Sequence, residues 1–209
     1  SMLVDLHCHS KFSHDNYLEP EALIREAIEA GLDGVCFTEH HSLLASLPVE
    51  KIEVPDGFYV FRGLEISTNQ GHILVYGLRD DSWNIWGRNN YLDCRRVMER
   101  VYSLGGICVA AHPYRPHDSL GEDLSLMNGL DAIETHNGLN SREENDRAMR
   151  AASLNGLPSV GGSDCHSERQ VGAAYTIFKN PISTIEDLVT EVRSGNCRGM
   201  ARGYDHITL

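Results

Sequence analysis

Two histidines separated by one residue stand near the start of the chain, in the run Asp5-Leu6-His7-Cys8-His9-Ser10. In a β-strand residues i and i+2 share a face, so His7 and His9 project side by side while Leu6 and Cys8 point the other way. Two parallel imidazoles are half of a tetrahedral metal site. Whether they act as one depends on the rest of the chain supplying the missing ligands. Residues of the right kind recur at the ends of short apolar runs, in Glu39-His40-His41, Gly63-Leu64-Glu65, His112-Pro113 and Ser163-Asp164-Cys165-His166. Taken singly, each is an ordinary surface or core residue; their repeated placement at strand ends is what needs explaining.

The elements that must position them alternate. Strands are expected at the N-terminal run, 34–38, 58–67, 71–77, 107–111, 130–136, 157–162 and 173–178, as short apolar stretches of the buried kind. Helices are expected at 20–30, 91–104, 142–154 and 184–194, with Pro20 in a first turn and Gly31, Gly105 and Gly195 as stops. This alternation implies parallel strands joined by right-handed crossovers, either a barrel or a doubly wound sheet. A barrel gathers all strand ends at one mouth, whereas an open sheet strings them out in a line. The convergence of ligating residues therefore favours a (β/α) barrel formed by a single domain over 1–209.

Composition narrows the partners. The 209 residues carry a formal net charge of −12, with lysines only at 11, 51 and 179. Such a surface disfavours long nucleic acid. No apolar run approaches the ~20 residues that span a bilayer, and no basic-then-apolar leader precedes the first strand. Ser1-Met2 reads as a remnant before a native start. Six cysteines without C-x-x-C spacing suggest reduced, buried thiols and a cytoplasmic location.

In order, Asp-Leu-His-Cys-His-Ser, Thr-Glu-His, Gly-Leu-Glu, Ala-His-Pro and Gly-Ser-Asp-Cys-His resemble the motifs of the polymerase and histidinol phosphatase (PHP) superfamily of metal-dependent phosphoesterases, over residues 5 to about 178. The resemblance implies a distorted seven-stranded TIM-like barrel with two or three divalent metals at its mouth. His7, His9, Glu65 and Asp164 would hold the first metal. Glu65 would bridge to a second, held with His72 and His112. His40 and His166 would hold a third with a residue of the loop after strand one, where both His14 and Asp15 are available; the Ser-x-Asp spacing favours Asp15. Imidazoles mixed with carboxylates suit Zn²⁺, Mn²⁺ or Fe²⁺ better than Mg²⁺ or Ca²⁺.

The implied reaction is hydrolysis of a small-molecule phosphate ester, by attack of a hydroxide bridging the metals at a trinuclear site. Glu65 and Asp164 would be essential to it. Arg115, Arg142 and Arg169, in loops expected at the mouth, are candidates for gripping phosphate oxygens. His136, at a strand end, would protonate the leaving oxygen or line the pocket. His41, His117 and His206 have no assigned role. Rival readings are a nuclease acting on short oligonucleotides and a non-catalytic metal-bearing binding module. Amidohydrolase barrels also begin with H-x-H, but many bridge their metals with a carboxylated lysine on a middle strand. This chain has no lysine between 51 and 179.

Overall fold

The computed structural model describes residues 1–89 and 91–204. In chain order the elements are β1 (Met2–Cys8), α1 (Pro20–Glu29), β2 (Gly34–His40), β3 (Tyr59–Thr68), β4 (Gly71–Tyr76), α2 (Cys94–Ser103), β5 (Ile107–Ala110), β6 (Ala132–Asn137), α3 (Arg142–Asn155), β7 (Ser159–Gly162), β8 (Ala174–Phe178), α4 (Ile185–Arg193) and β9 (Cys197–Ala201), with 3-10 turns at 44–51, 121–126 and 168–170. All nine strands join one sheet in the order β7-β6-β5-β4-β3-β2-β1-β8-β9.

β1 to β7 are the seven strands of the expected distorted TIM-like barrel, and β8 and β9 extend the sheet past β1. Closure occurs where β7 meets β1. The Asp164 amide donates to the His7 carbonyl at 2.7 Å, and Cys8 pairs in parallel with Cys165. The sheet departs from the all-parallel expectation at β4, which is antiparallel to both β3 and β5, and at β8 and β9. The reason at β4 is the short link Asn69-Gln70, which can only close a hairpin, since a parallel return needs a long crossover. As a result β4 begins, rather than ends, at the mouth, and it presents His72 there. β9 had no counterpart among the expected strands; its Arg198 is exposed, so it does not read as an apolar run.

Local chemistry fixes the helices. α1 buries Ala22, Leu23, Ile24 and Ala27 on one stripe. α2 starts at Cys94, not at Tyr91, because the Asp93 carboxylate accepts from the Arg96 amide and sets the first turn. Reciprocal capping boxes open α3 (Ser141, Glu144) and α4 (Thr184, Asp187). The core divides into three clusters. One plugs the barrel with Val4, Leu6, Cys36, Leu74, Tyr76, Val109 and Val160, and α4 packs on it through Leu188 and Val192. The second lies under α2 and α3, and the third under α1. All six cysteines are free and buried. Among the described residues no helix is long and apolar enough to cross a membrane.

Candidate metal centre

The strand-end residues converge as the barrel argument requires. His7 Nε2, His9 Nε2, Glu65 Oε1 and Asp164 Oδ1 form one group, and five of its six edges are 3.0–3.3 Å. A tetrahedron with edges near 3.2 Å has its centre about 2.0 Å from each corner, the usual Zn–N and Zn–O distance. The donor set and its spacing therefore fit a divalent ion. Glu65 turns its other oxygen to a second group: Oε2 stands 3.1 Å from His72 Nδ1 and 3.3 Å from His112 Nε2. A looser third set meets at Asp15, whose Oδ2 is 3.2 Å from His40 Nε2 and 3.5 Å from His166 Nε2. The His14 ring lies 5.5 Å from that of His40, whereas the Asp15 carboxylate reaches both imidazoles.

Neighbouring groups set which ring nitrogen is free. His166 Nδ1 is 2.8 Å from the Asp164 carbonyl, which fixes its proton there and leaves Nε2 with its lone pair. His112 Nδ1 likewise meets Ser119 Oγ at 3.0 Å, and Nε2 faces Glu65. Burial, aided by the positive fields of His9 and His72, lowers the His40 pKa to about 4 against the pull of Glu65 and Asp15, so this imidazole is neutral. Burial alone would also depress His9. Hydrogen bonds to Asp164 and Glu65 outweigh it and push its pKa up to about 10. Glu65 and Asp164 move well below the ordinary carboxylate range despite their burial, because His7 lies against both. Such a buried cluster of carboxylates demands positive charge, whether from protons on the imidazoles or from a metal.

Backbone strain concentrates here. Among the described residues five non-glycine residues have positive φ, and four of them, His41, His112, Asp118 and Asp164, belong to the mouth. Each such conformation costs about 1–3 kcal/mol and persists only where neighbours enforce it. The enforcing bonds are short: His41 N to the Glu65 carbonyl at 2.9 Å, His112 N to Glu134 Oε1 at 2.8 Å, and Asp164 N to the His7 carbonyl.

A cavity of about 170 Å³ opens over these groups. Seven of the nine expected ligands line it, all but the deeper His7 and His9, together with Arg115, His117 and Asp118. A wider groove of about 350 Å³ between α2 and Asn128-Gly129 is lined by Met98 and Tyr102 and contains none of the ligating groups. Arg115 thus reaches the centre; Arg142 and Arg169 do not line the cavity. Arg142 stacks on Tyr204 at 4.3 Å, and Arg169 is exposed on the turn 168–170. His136 also falls elsewhere: its ring packs edge-on against Tyr204 at 5.0 Å and its Nδ1 meets Thr135 Oγ1 at 2.8 Å. His41 accepts from the Ser67 amide, and His206 lies outside the described residues.

Sequence reasoning passed over the buried carboxylates behind the ligands. Glu134 is fully buried and holds His7 Nδ1 at 2.7 Å. Glu39, also fully buried, accepts from Ser10 N, Ser10 Oγ and Ser13 Oγ, and stands 3.9 Å from His9 Nδ1. Asp5 accepts from the amides of His7 and Ser163 across the β1–β7 seam. The available signal was an isolated acid inside an apolar run, which is costly to bury unless it is paired.

The position of His136 has a measurable consequence. Burial lowers its pKa to about 4, against about 6.5 in an unfolded chain. As pH falls below 6.5 the unfolded chain takes up a proton that the native imidazole refuses until about pH 4, so stability drops through that window. Between pH 7 and 5 this amounts to about 2 kcal/mol. Urea unfolding at the two pH values is expected to show His136→Gln losing that much less than the parent; equal losses would contradict the assignment.

Two family models match this chain: a PHP domain over residues 5–103 and a PHP-associated region over residues 142–197. An uncharacterized protein of Methanocaldococcus jannaschii is 29% identical over 147 residues, which are 65% of this chain and 82% of that one. Among solved structures, a two-domain protein of Bacteroides vulgatus, described as containing a predicted PHP-like metal-dependent phosphoesterase, superposes with a TM-score of 0.71 at 18% identity, covering 96% of this chain and 64% of its own. The lesion-specific endonuclease Q of Pyrococcus furiosus superposes with a TM-score of 0.71 at 20% identity, covering 95% of this chain and 57% of its own. At these identities the likeness is one of fold, and this chain spans only part of those two proteins. With the ordered motifs at one barrel mouth and both family models matched, the chain belongs to the PHP family.

Proposed function

We propose that the chain is a hydrolase of phosphoric esters that acts on a small phosphorylated molecule. Two or three divalent transition metals (Zn, Mn or Fe) would be held by His7, His9, Glu65 and Asp164, by Glu65, His72 and His112, and by Asp15, His40 and His166. The observation that carries this reading is the division of Glu65 between two ligand groups directly under a cavity that Arg115 also lines. Metals bound there supply Lewis acidity and bring the pKa of water toward neutrality.

The remaining steps fall to side chains. Arg115 gives its Nε–H to Asn140 and its Nη2 hydrogens to Asn137 and Asp164. A guanidinium has five donors, so the Nη1 pair is left for phosphate oxygens. At ~30 Å³ per water the cavity has room for about five waters, enough for a phosphoryl group and the first atoms of its leaving group. His117 and Asp118 stand at the rim, where a leaving oxygen would need a proton. The free, buried thiols suit a reducing, cytoplasmic compartment.

The similarity in fold to endonuclease Q favours one alternative, cleavage of a short oligonucleotide. The net charge of −12 opposes a long backbone track. Exhaustive chelation is expected to abolish hydrolysis, and Mn²⁺ or Zn²⁺ to restore it, in a screen of nucleoside monophosphates, sugar phosphates, histidinol phosphate and short oligonucleotides. Full activity after metal removal would overturn the proposal, and turnover of oligonucleotides alone would replace it with the nuclease reading.

A further inference from the structure

Of the two imidazoles at the C-terminal end of β1, only His7 is clamped from behind. Its Nδ1 is 2.7 Å from Glu134 Oε2, whereas His9 Nδ1 is buried without a hydrogen-bond partner among the described residues. The other Glu134 oxygen, Oε1, accepts from the His112 amide and from Asn137 Nδ2, both at 2.8 Å. Asn137 Oδ1 accepts from Arg115 Nη2 at 2.7 Å, the same nitrogen donates to Asp164 Oδ2 at 3.0 Å, and Asp164 Oδ1 faces His7 Nε2 at 3.3 Å. The contacts close a ring: His7, Glu134, Asn137, Arg115, Asp164 and back to His7.

We infer that Glu134 is a positioning residue of the first metal group: it fixes His7 with its proton on Nδ1 and its lone pair on Nε2, and through Asn137 it ties that group to Arg115. The inference rests on reading the mouth as a metal centre. The His112 amide and the Asn137 amide both donate to Glu134 Oε1, and Oε2 faces the His7 ring nitrogen Nδ1 at 2.7 Å, placed to accept its proton. A carboxylate has lone pairs on both oxygens to accept from all three. A glutamine would set its own NH₂ against a donor whichever way it turned, so Glu134→Gln keeps the shape and breaks the pattern. A carboxylate behind a ligating histidine raises its basicity and fixes its tautomer, and loss of such a partner costs about 10–100-fold in metal affinity.

The test reads Co²⁺ binding to the whole metal-stripped protein by its visible absorption, with no assay of turnover. Glu134→Gln is expected to weaken the step of the first group by about 10–100-fold and to leave the step of the Asp15, His40 and His166 group, none of which touches Glu134, unchanged. Parental affinity at every step would overturn the positioning role. Because the variant has the option of not folding, a second measurement uses the unaltered sequence. ¹⁵N spectra of histidine-labelled, Zn²⁺-loaded protein are expected to place the His7 proton on Nδ1, and a proton on Nε2 would overturn the inference. Failure of the parent to bind Co²⁺ or Zn²⁺ at all would overturn both this and the proposed function, whereas parental binding without hydrolysis of any ester would remove the function alone.

Discussion

Glu65→Gln is expected to empty two metal positions at once and to lower phosphoesterase activity by at least about 10³-fold, some 4 kcal/mol of transition-state stabilisation. The doubling follows from geometry. Oε1 faces His7, His9 and Asp164, and Oε2 faces His72 and His112. No other residue among those described belongs to both groups. The charge matters as much as the position: His7 lies against Glu65 and draws its pKa well down despite complete burial, which favours the ionised carboxylate. An amide of the same size supplies one oxygen and no charge. His72→Ala is the control, because of the two Glu65 oxygens His72 meets only Oε2. It is expected to lose one metal and keep the other. Metal content per chain by elemental analysis separates the two variants. If Glu65→Gln retained the parental count, or if both variants lost the same single metal, Glu65 would not be a bridge.

The different legibility of His7 and His136 shows what a sequence can and cannot give at such a site. The period of two in a strand placed His7 and His9 on one face, and they meet at 3.2 Å. The same rule puts Glu134 and His136 on one face of β6, and there it fails. The β6–β7 register shifts between Glu134 and His136, so the extra residue turns His136 toward Tyr204 while Glu134 reaches His7. A bulge leaves no mark in hydrophobic pattern, which is why the strand-end histidine was chosen over the acid inside the strand. Arg142 and Arg169 illustrate a second limit. Their loops follow strands that point at the mouth, but the direction of a long side chain depends on its neighbours, and Tyr204 takes Arg142. Arg115 differs because Asn137, Asn140 and Asp164 draw it inward. Most of the expected ligands lie at or beside a strand end, where backbone direction nearly determines where the ligand atom goes, whereas Glu65 sits three residues inside the end of β3 and Asp15 in the loop after β1. His72 was placed at the start of its strand, and the hairpin supplies the reason.

Gly162→Ala is expected to destabilise the protein by about 3 kcal/mol or more and to cost it at least the first metal, although Gly162 itself carries no ligand. β7 is the last strand to reach the mouth, and it closes on β1 through the Asp164 amide and the His7 carbonyl at 2.7 Å. That closeness requires the absence of a side chain. A Cβ on Gly162 would stand 2.5 Å from the His7 backbone nitrogen, 2.9 Å from its Cα, and nearer still to its Cβ. Two of these atoms are backbone, and the third is the root of a fully buried imidazole clamped by Glu134, so no side-chain rotation relieves the overlap. The strands must separate, and His7 and Asp164 separate with them; a mismatch of an ångström at a metal centre is enough to lose the ion. Gly156→Ala at the end of α3 calibrates the effect. A Cβ there meets nothing within 4 Å, and only the left-handed φ of 62° resists the substitution, at about 1 kcal/mol. Chemical unfolding of the two metal-free variants, followed by zinc titration, separates backbone strain from a broken seam. A Gly162→Ala protein as stable as Gly156→Ala, with its full complement of zinc, would mean that β1 and β7 do not need to touch for the centre to form.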